Sequence, residues 1–257
     1  MKGPETPRSF EAEWRDRFER FARAHDDEAI ISGWSNAGLR RRVSLFSALL
    51  PSLRLPERAA ALDLGCGGGT YVRLLAGLGH RAAGLDYSLP SLQRAVGADP
   101  GRKGAYLAGE AYHLPFGAGA FDLVVSIGVL QSLGQPDQAL AEMVRVLRPG
   151  GVLVVEALNA RGVIALARRV VQRLRGHGDR VRVYPPAQVR RWLEALDLDV
   201  EVSAGLCLPP RRYPGFERVL DASPAVALLN GVPGLVGLAA HSFLFVARRP
   251  ESPRLTR

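Results

Sequence analysis

Asp63, Gly65, Gly67 and Gly69 alternate along "LDLGCGGG" (62–69), between an apolar run and the start of a helical pattern. Glycine lacks the Cβ that would hold a ligand off the backbone, and it tolerates positive φ. A helix that begins just after such a turn adds unpaired N–H groups and a field that favours negative charge. The loop is therefore predicted to receive a nucleotide-like molecule. A dinucleotide fingerprint would need Gly or Ala at the sixth position from Gly65, and Thr70 stands there, so that pattern fails. Asp86 ends the next apolar run, where a carboxylate can accept both hydroxyls of a ribose. The competing reading of Asp86 is a cap at a strand end.

The elements that must position these residues can be read from periodicity. Phe10, Trp14, Phe18 and Phe21 fall on one helical face over 9–24, with charges opposite. Ser35 and Asn36 can cap a second helix that exits at Pro51–Pro56. From 59 onward short apolar runs alternate with helical segments: strands at 59–64, 81–86, 105–109, 121–127 and 152–158, with helices at 69–78, 89–97 and 136–147. Runs without in–out alternation imply a parallel sheet covered on both faces. Further on, 161–176 and 185–198 read as helices. Val200–Ala204 and Ser242–Ala247 read as strands, with a Pro- and Gly-rich insertion between them.

Together "LDLGCGGG", "GLDYS" (84–88), "GEAYHLPF" (109–116), "FDLVVSIGVLQSL" (121–133) and "EMVRVLRPGGVLVVEALN" (142–159) resemble the class I S-adenosylmethionine-dependent methyltransferases. The branch most resembled is the ubiquinone/menaquinone-biosynthesis type (methyltransferase type 11), over about 59–158. The resemblance implies an α/β, Rossmann-like three-layer sandwich with a seven-stranded, mostly parallel sheet in the order 3-2-1-4-5-7-6. It implies a helical lid over 1–56, a cofactor core over 57–160, a C-terminal part with acceptor-side helices over 161–250, and a tail at 251–257. S-adenosylmethionine would be the cofactor and S-adenosylhomocysteine the product. By the same resemblance Asp63, Gly65 and Gly67 line its methionine end, and Cys66 and Gly69 shape the loop. Asp86 holds the ribose and Tyr87 flanks the adenine. Glu110 accepts from the adenine amino group, a position where relatives often carry Asp, and Ala111 offers its backbone N–H. Ile127 lies near the reacting methyl.

Methyl transfer from a sulfonium to a good nucleophile needs mainly alignment; a general base is required only for hydroxyls or weak carbon acids. The candidates for a base are few: His113, and Gln131 at a position where relatives often carry His. An amide is no base at neutral pH. Absences narrow the acceptor. "SIGV" replaces the Asp/Asn-Pro-Pro-aromatic signature of amine methylation on bases, and Cys207 lies in the wrong place for a cytosine-type thiolate. A small lipophilic acceptor (quinone-, lipid- or polyketide-like) is the leading expectation. A nucleic acid, a protein target or a cofactor-binding subunit without activity are the alternatives. Trp14 and Trp34 are candidate acceptor contacts, against the alternative of plain helix packing.

Composition sets the remaining bounds. The chain of 257 residues is 47% hydrophobic and 23% charged, which fits one large folded domain. Its two cysteines permit at most one disulfide, as expected in a reducing compartment. No metal site is expected. "MKGPETPRSFEAEWRDRFERF" lacks the apolar core of a secretion signal, and 225–247 has the length of a membrane span but is interrupted by Pro233 and glycines. The expected location is the cytoplasm. The net charge of +9 is mostly arginine. Within 161–176 arginines face one side and aliphatics the other, with no acid among them. Such a helix either buries its apolar face on the domain or lies against anionic lipid. Oligomeric state is not legible.

Overall fold

The computed structural model describes residues 10–174, 181–206 and 237–252. Three helices precede the sheet: α1 (Phe10–Ala24), α2 (Glu28–Ile31) and α3 (Asn36–Leu49). Strand and helix then alternate through β1 (Ala60–Leu64), α4 (Thr70–Gly77), β2 (Arg81–Asp86), α5 (Leu89–Gly97) and β3 (Ala105–Ala108). They continue as β4 (Phe121–Ser126), α6 (Pro136–Val146), β5 (Leu147–Leu158), α7 (Val163–Leu174), α8 (Pro186–Ala195), β6 (Asp199–Leu206) and β7 (Ser242–Arg248).

The seven strands form one sheet in the order β3-β2-β1-β4-β5-β7-β6, as the resemblance implied. β1 to β5 pair in parallel, and β7 runs antiparallel between β5 and β6. Successive residues of β5 feed opposite layers: Val152 and Val154 join the core under α3 and α4, while Leu153 and Val155 join the one under α6 and α8. That is why the central strands read as unbroken apolar runs.

Side-chain caps set the helix starts. Ser35 Oγ accepts from Gly38 N (3.1 Å) and Ser88 Oγ from Ser91 N (3.3 Å), each meeting one of the donors a helix N-terminus leaves unpaired. α2 is absent from the sequence reading, because four residues carry no period. Asp27 caps it, accepting from Ala29 N at 2.9 Å, and also accepts from Asn36 Nδ2, which ties α2 to α3. No described helix is long and apolar enough to cross a membrane. The insertion between β6 and β7, with Cys207 and the start of 225–247, lies outside the described residues.

Candidate active site

The loops after β1, β2, β3 and β4 all open on the C-terminal edge of the sheet. With α1, α2 and the start of α3 they enclose a cleft of about 1070 Å³, counting its open mouth. The crossing between β1 and β4, where strand order reverses, is where an open α/β sheet leaves room for a ligand.

The loop 65–69 is bolted to β2. Gly65 N and Cys66 N both donate to Leu85 O, at 2.7 and 3.2 Å. Gly67 N donates to Asp86 Oδ2 at 2.9 Å, and Ser88 N to Asp86 Oδ1 at 2.8 Å. The four glycines of this loop divide their work. At Gly67 φ is +50° and the nearest group to a notional Cβ is Ser32 Oγ at 3.6 Å, so its backbone is open to the cleft. A Cβ at Gly65 would meet Val129 at 2.3 Å, one at Gly68 would meet Glu28 at 3.0 Å, and one at Gly69 would meet Tyr106 at 2.8 Å. Those three make room for protein. Gly69 and Asp63 stand behind the cleft wall, and Gly65, Cys66 and Gly67 form it.

The start of α4 also departs from expectation. Thr70 N donates to Glu28 Oε1 at 2.9 Å, and Glu28 Oε2 pairs with Arg73 at 2.8 Å. This helix N-terminus is satisfied by a carboxylate of the chain itself.

Electrostatics in the loop are dominated by burial. Desolvation pushes the Asp86 carboxyl up, against the backbone hydrogen bonds from Ser88 and Gly67 that pull it down. A carboxylate has about four lone-pair sites, so two hydrogen bonds leave Asp86 able to accept two more. Asp63 is raised well above the carboxylate range by burial first, then by the charges of Asp86 and Glu28. Its Oδ2 is buried without a hydrogen-bond partner among the described residues, and so is Tyr71 Oη in the cleft wall. Burial also raises the Cys66 thiol, which makes it a packed, neutral group rather than a nucleophile.

At the β2–β3 end, Tyr87, Glu110 and Ala111 line the cleft together. The Arg15 guanidinium of α1 pairs with Glu110 Oε2 and lies 4.8 Å from the centre of the Tyr87 ring. At the opposite end, Ile127 is buried in the wall, and Trp14 and Trp34 complete it from the N-terminal helices. Trp34 packs so closely on Gly128 that a Cβ there would fall 2.2 Å from its ring. Arg42 lies 4.3 Å from the Trp34 ring centre on a buried pair with Glu156.

Neither residue weighed as a base belongs to the cleft. His113 is exposed, with its backbone N–H on Glu110 O. Gln131 is buried outside the cleft wall; its Nε2 donates to Gly128 O at 2.5 Å and holds that turn. His113 is a candidate by its closeness in sequence to the adenine contacts and Gln131 by its match to a His of relatives, and neither ground fixes side-chain direction. Glu11, Arg15 and Glu28 do line the cleft and were not singled out. Glu11 Oε1 accepts from Gly134 N at 2.5 Å and from the Tyr112 hydroxyl. No group of three or more metal-ligating side chains occurs among the described residues.

These features fit S-adenosylmethionine: an open glycine backbone at Gly67, a half-satisfied Asp86, orphaned buried oxygens on Asp63 and Tyr71, and an aromatic ring beside a carboxylate at the far end. Comparison with known proteins agrees. Residues 62–155 match the methyltransferase domain family. A malonyl-[acyl-carrier protein] O-methyltransferase of Salmonella typhimurium is 39% identical over 111 residues, 43% of each chain. A ubiquinone biosynthesis O-methyltransferase of Caulobacter vibrioides is 31% identical over 160 residues, 61% of this chain and 62% of the relative. The chain thus spans less than two thirds of the length of either relative. Magnesium protoporphyrin IX methyltransferase from Synechocystis PCC 6803, solved with bound SAH, superposes with a TM-score of 0.65 at 15% identity, covering 94% of this chain and 100% of that one, a likeness of fold.

Proposed function

On the methyltransferase domain matched over 62–155, we propose that the chain is a class I S-adenosylmethionine-dependent methyltransferase that methylates a small lipophilic acceptor. One observation carries the proposal: a single cleft joins the glycine loop and Asp86 to an aromatic wall of Trp14, Phe18 and Trp34. Bound there, S-adenosylmethionine supplies an electrophilic methyl group on a sulfonium. Asp86 accepts from the ribose hydroxyls with the two oxygens already steadied by Gly67 N and Ser88 N. Tyr87 and Glu110 receive the adenine, and Ala111 offers its N–H. Gly65 and Gly67 carry the methionine portion, with Asp63 behind them. Ile127 and Trp34 exclude water at the reacting end and align the acceptor, which is the main demand of a displacement at a methyl carbon. An apolar wall selects for an apolar acceptor, of the quinone, lipid or polyketide kind.

The second reading concerns where that acceptor is met. In α7 the aliphatics Val163, Leu166, Val170, Val171 and Leu174 are exposed, Leu174 at 82%. The face that ordinary packing would bury is turned outward. With arginines and no acids across 161–176, it suits the interface of an anionic membrane, next to the strand edge that holds the cleft.

The test is transfer from methyl-labelled S-adenosylmethionine into a host lysate supplemented with the full chain, beside an unsupplemented control. Added label in the organic extract is expected. Label confined to the acid precipitate would replace the acceptor by a macromolecule. No transfer with S-adenosylhomocysteine binding intact would make the chain a silent subunit.

A further inference from the structure

The Arg15 guanidinium touches two groups at once: it lies over the Tyr87 ring, 4.8 Å from its centre, and it pairs with Glu110 Oε2. Under the donor-site reading above, on which this inference rests, those are the two groups the adenine of the donor uses, one as a stacking face and one as an acceptor. A guanidinium is planar, stacks on aromatic faces and presents N–H donors along its edge. An adenine presents the same: a flat face and an amino group at the rim. We infer that Arg15 is a lid-borne stand-in for the donor's base, so that the seating of α1 and the entry of that base compete for Tyr87 and Glu110.

The position of Arg15 in α1 gives the competition a consequence. Glu11, one turn earlier, ties the same helix to Tyr112, two residues beyond Glu110, and to Gly134 N in the segment after β4. Trp14, between them in sequence, forms part of the aromatic wall. Displacing Arg15 frees its tie to Glu110 while the Glu11 tie stays, so α1 loosens around Arg15 without leaving the cleft. Donor binding thereby loosens the helix that carries Trp14 of the aromatic wall. The Arg15–Glu110 side chains keep 42% and 47% exposure, so the tie is screened by solvent and weak enough for a ligand to displace.

The probe is S-adenosylhomocysteine, titrated calorimetrically into the full chain, into Arg15→Ala and into Arg20→Ala, a charge control on an exposed arginine of the same helix. Arg15→Ala is expected to tighten binding by roughly threefold to tenfold, the scale of an exposed ion pair plus a cation–π contact, and Arg20→Ala to leave it unchanged. Hydrogen exchange supplies a readout independent of activity. In the unsubstituted chain S-adenosylhomocysteine should speed exchange of the amides of residues 12–18; in Arg15→Ala exchange there should be fast already and respond no further. Unchanged or weaker binding by Arg15→Ala overturns the inference, as does slower exchange of α1 on ligand addition. Asp86→Ala separates the two levels. Loss of binding in Asp86→Ala beside no gain in Arg15→Ala sinks the lid alone. No binding by the unsubstituted chain sinks the donor site and the lid with it.

Discussion

Glu28 Oε1 accepts the backbone N–H of Thr70 at 2.9 Å, so the helix that leaves the glycine loop is capped by a residue 42 positions upstream. The same carboxylate pairs with Arg73, one turn along that helix, and fills the space beside Gly68 that a Cβ would need. α2 and the glycine loop are thus one unit. The four-residue helix exists to deliver this carboxylate, and Asp27 at its N-cap fixes where Glu28 points.

Glu28→Ala should therefore lower stability by about 1–2 kcal/mol, the scale of a lost N-cap and a partly buried ion pair. Glu28→Gln keeps an acceptor for Thr70 N and should recover part of the loss. Urea midpoints report both, with slopes unchanged. Equal stability of all three chains would mean that solvent replaces the cap at no cost.

How much of this was legible depended on distance along the chain. The strands and helix bounds followed from local signals, such as the apolar runs of β4 and β5 and the glycines after β1, and the sheet order from the family resemblance that the motifs carry. The cleft's polar ties did not. Arg15 meets Glu110 across 95 positions, and Glu11 meets Tyr112 across 101, and nothing local marks either pair. His113 and Gln131 show the converse: both lie inside motifs whose neighbours line the cleft, yet neither lines it. Periodicity in α7 showed two faces but not which one the domain covers, because that depends on elements elsewhere.

Asp63 makes stability depend on pH in the direction opposite to most carboxylates. In the unfolded chain it ionises near about 3.9. In the fold, burial and the nearby Asp86 and Glu28 hold its proton well above that. Between the two values the folded state binds a proton that the unfolded state has released, so stability falls as pH rises. Asp63→Asn removes that slope. Without ligand, Asn should be more stable than the unsubstituted chain, with a gap that widens as pH rises above the unfolded-state value of Asp63. Parallel curves across that range would show that Asp63 ionises normally.

The exposed apolar face of α7 predicts binding to vesicles of mixed phosphatidylglycerol and phosphatidylcholine. Val170→Glu and Leu174→Glu each replace an exposed aliphatic, at 57% and 82%, so folding stability should hold within about 0.5 kcal/mol. Each should cut partitioning into anionic vesicles by roughly tenfold, with Val96→Glu on α5 as a control that has no effect. Unaltered partitioning in both α7 variants would remove this helix as the contact.

Beneath the aromatic wall of the cleft, Arg42 and Glu156 form a pair that water hardly reaches, at 3% and 1% side-chain exposure. Arg42 Nε donates to both Glu156 oxygens at 3.0 and 2.9 Å, and Ser242 Oγ donates to one of them at 2.5 Å. Burial alone would raise the Glu156 carboxyl; the charge of Arg42 and the hydrogen bonds from Arg42 and Ser242 outweigh it and hold it below its usual value. Its stabilising contribution is therefore complete above the unfolded-state value and is lost as pH falls through the lower, folded one. Glu156→Gln leaves a buried guanidinium without a counter-charge and should cost about 3–5 kcal/mol at neutral pH. Replacing both charges, Arg42→Met with Glu156→Leu, should restore most of that, since well-packed apolar groups often match a buried pair. The double variant still lacks the cation under Trp34, so its fold should recover while the indole loses its fixed place against Gly128. Fluorescence anisotropy of Trp34, with Trp14 and Trp192 replaced by Phe, separates the two effects. Recovered stability with a freer Trp34 is the expected outcome. Recovered stability with an unmoved Trp34 would mean that packing on Gly128 alone holds the aromatic wall.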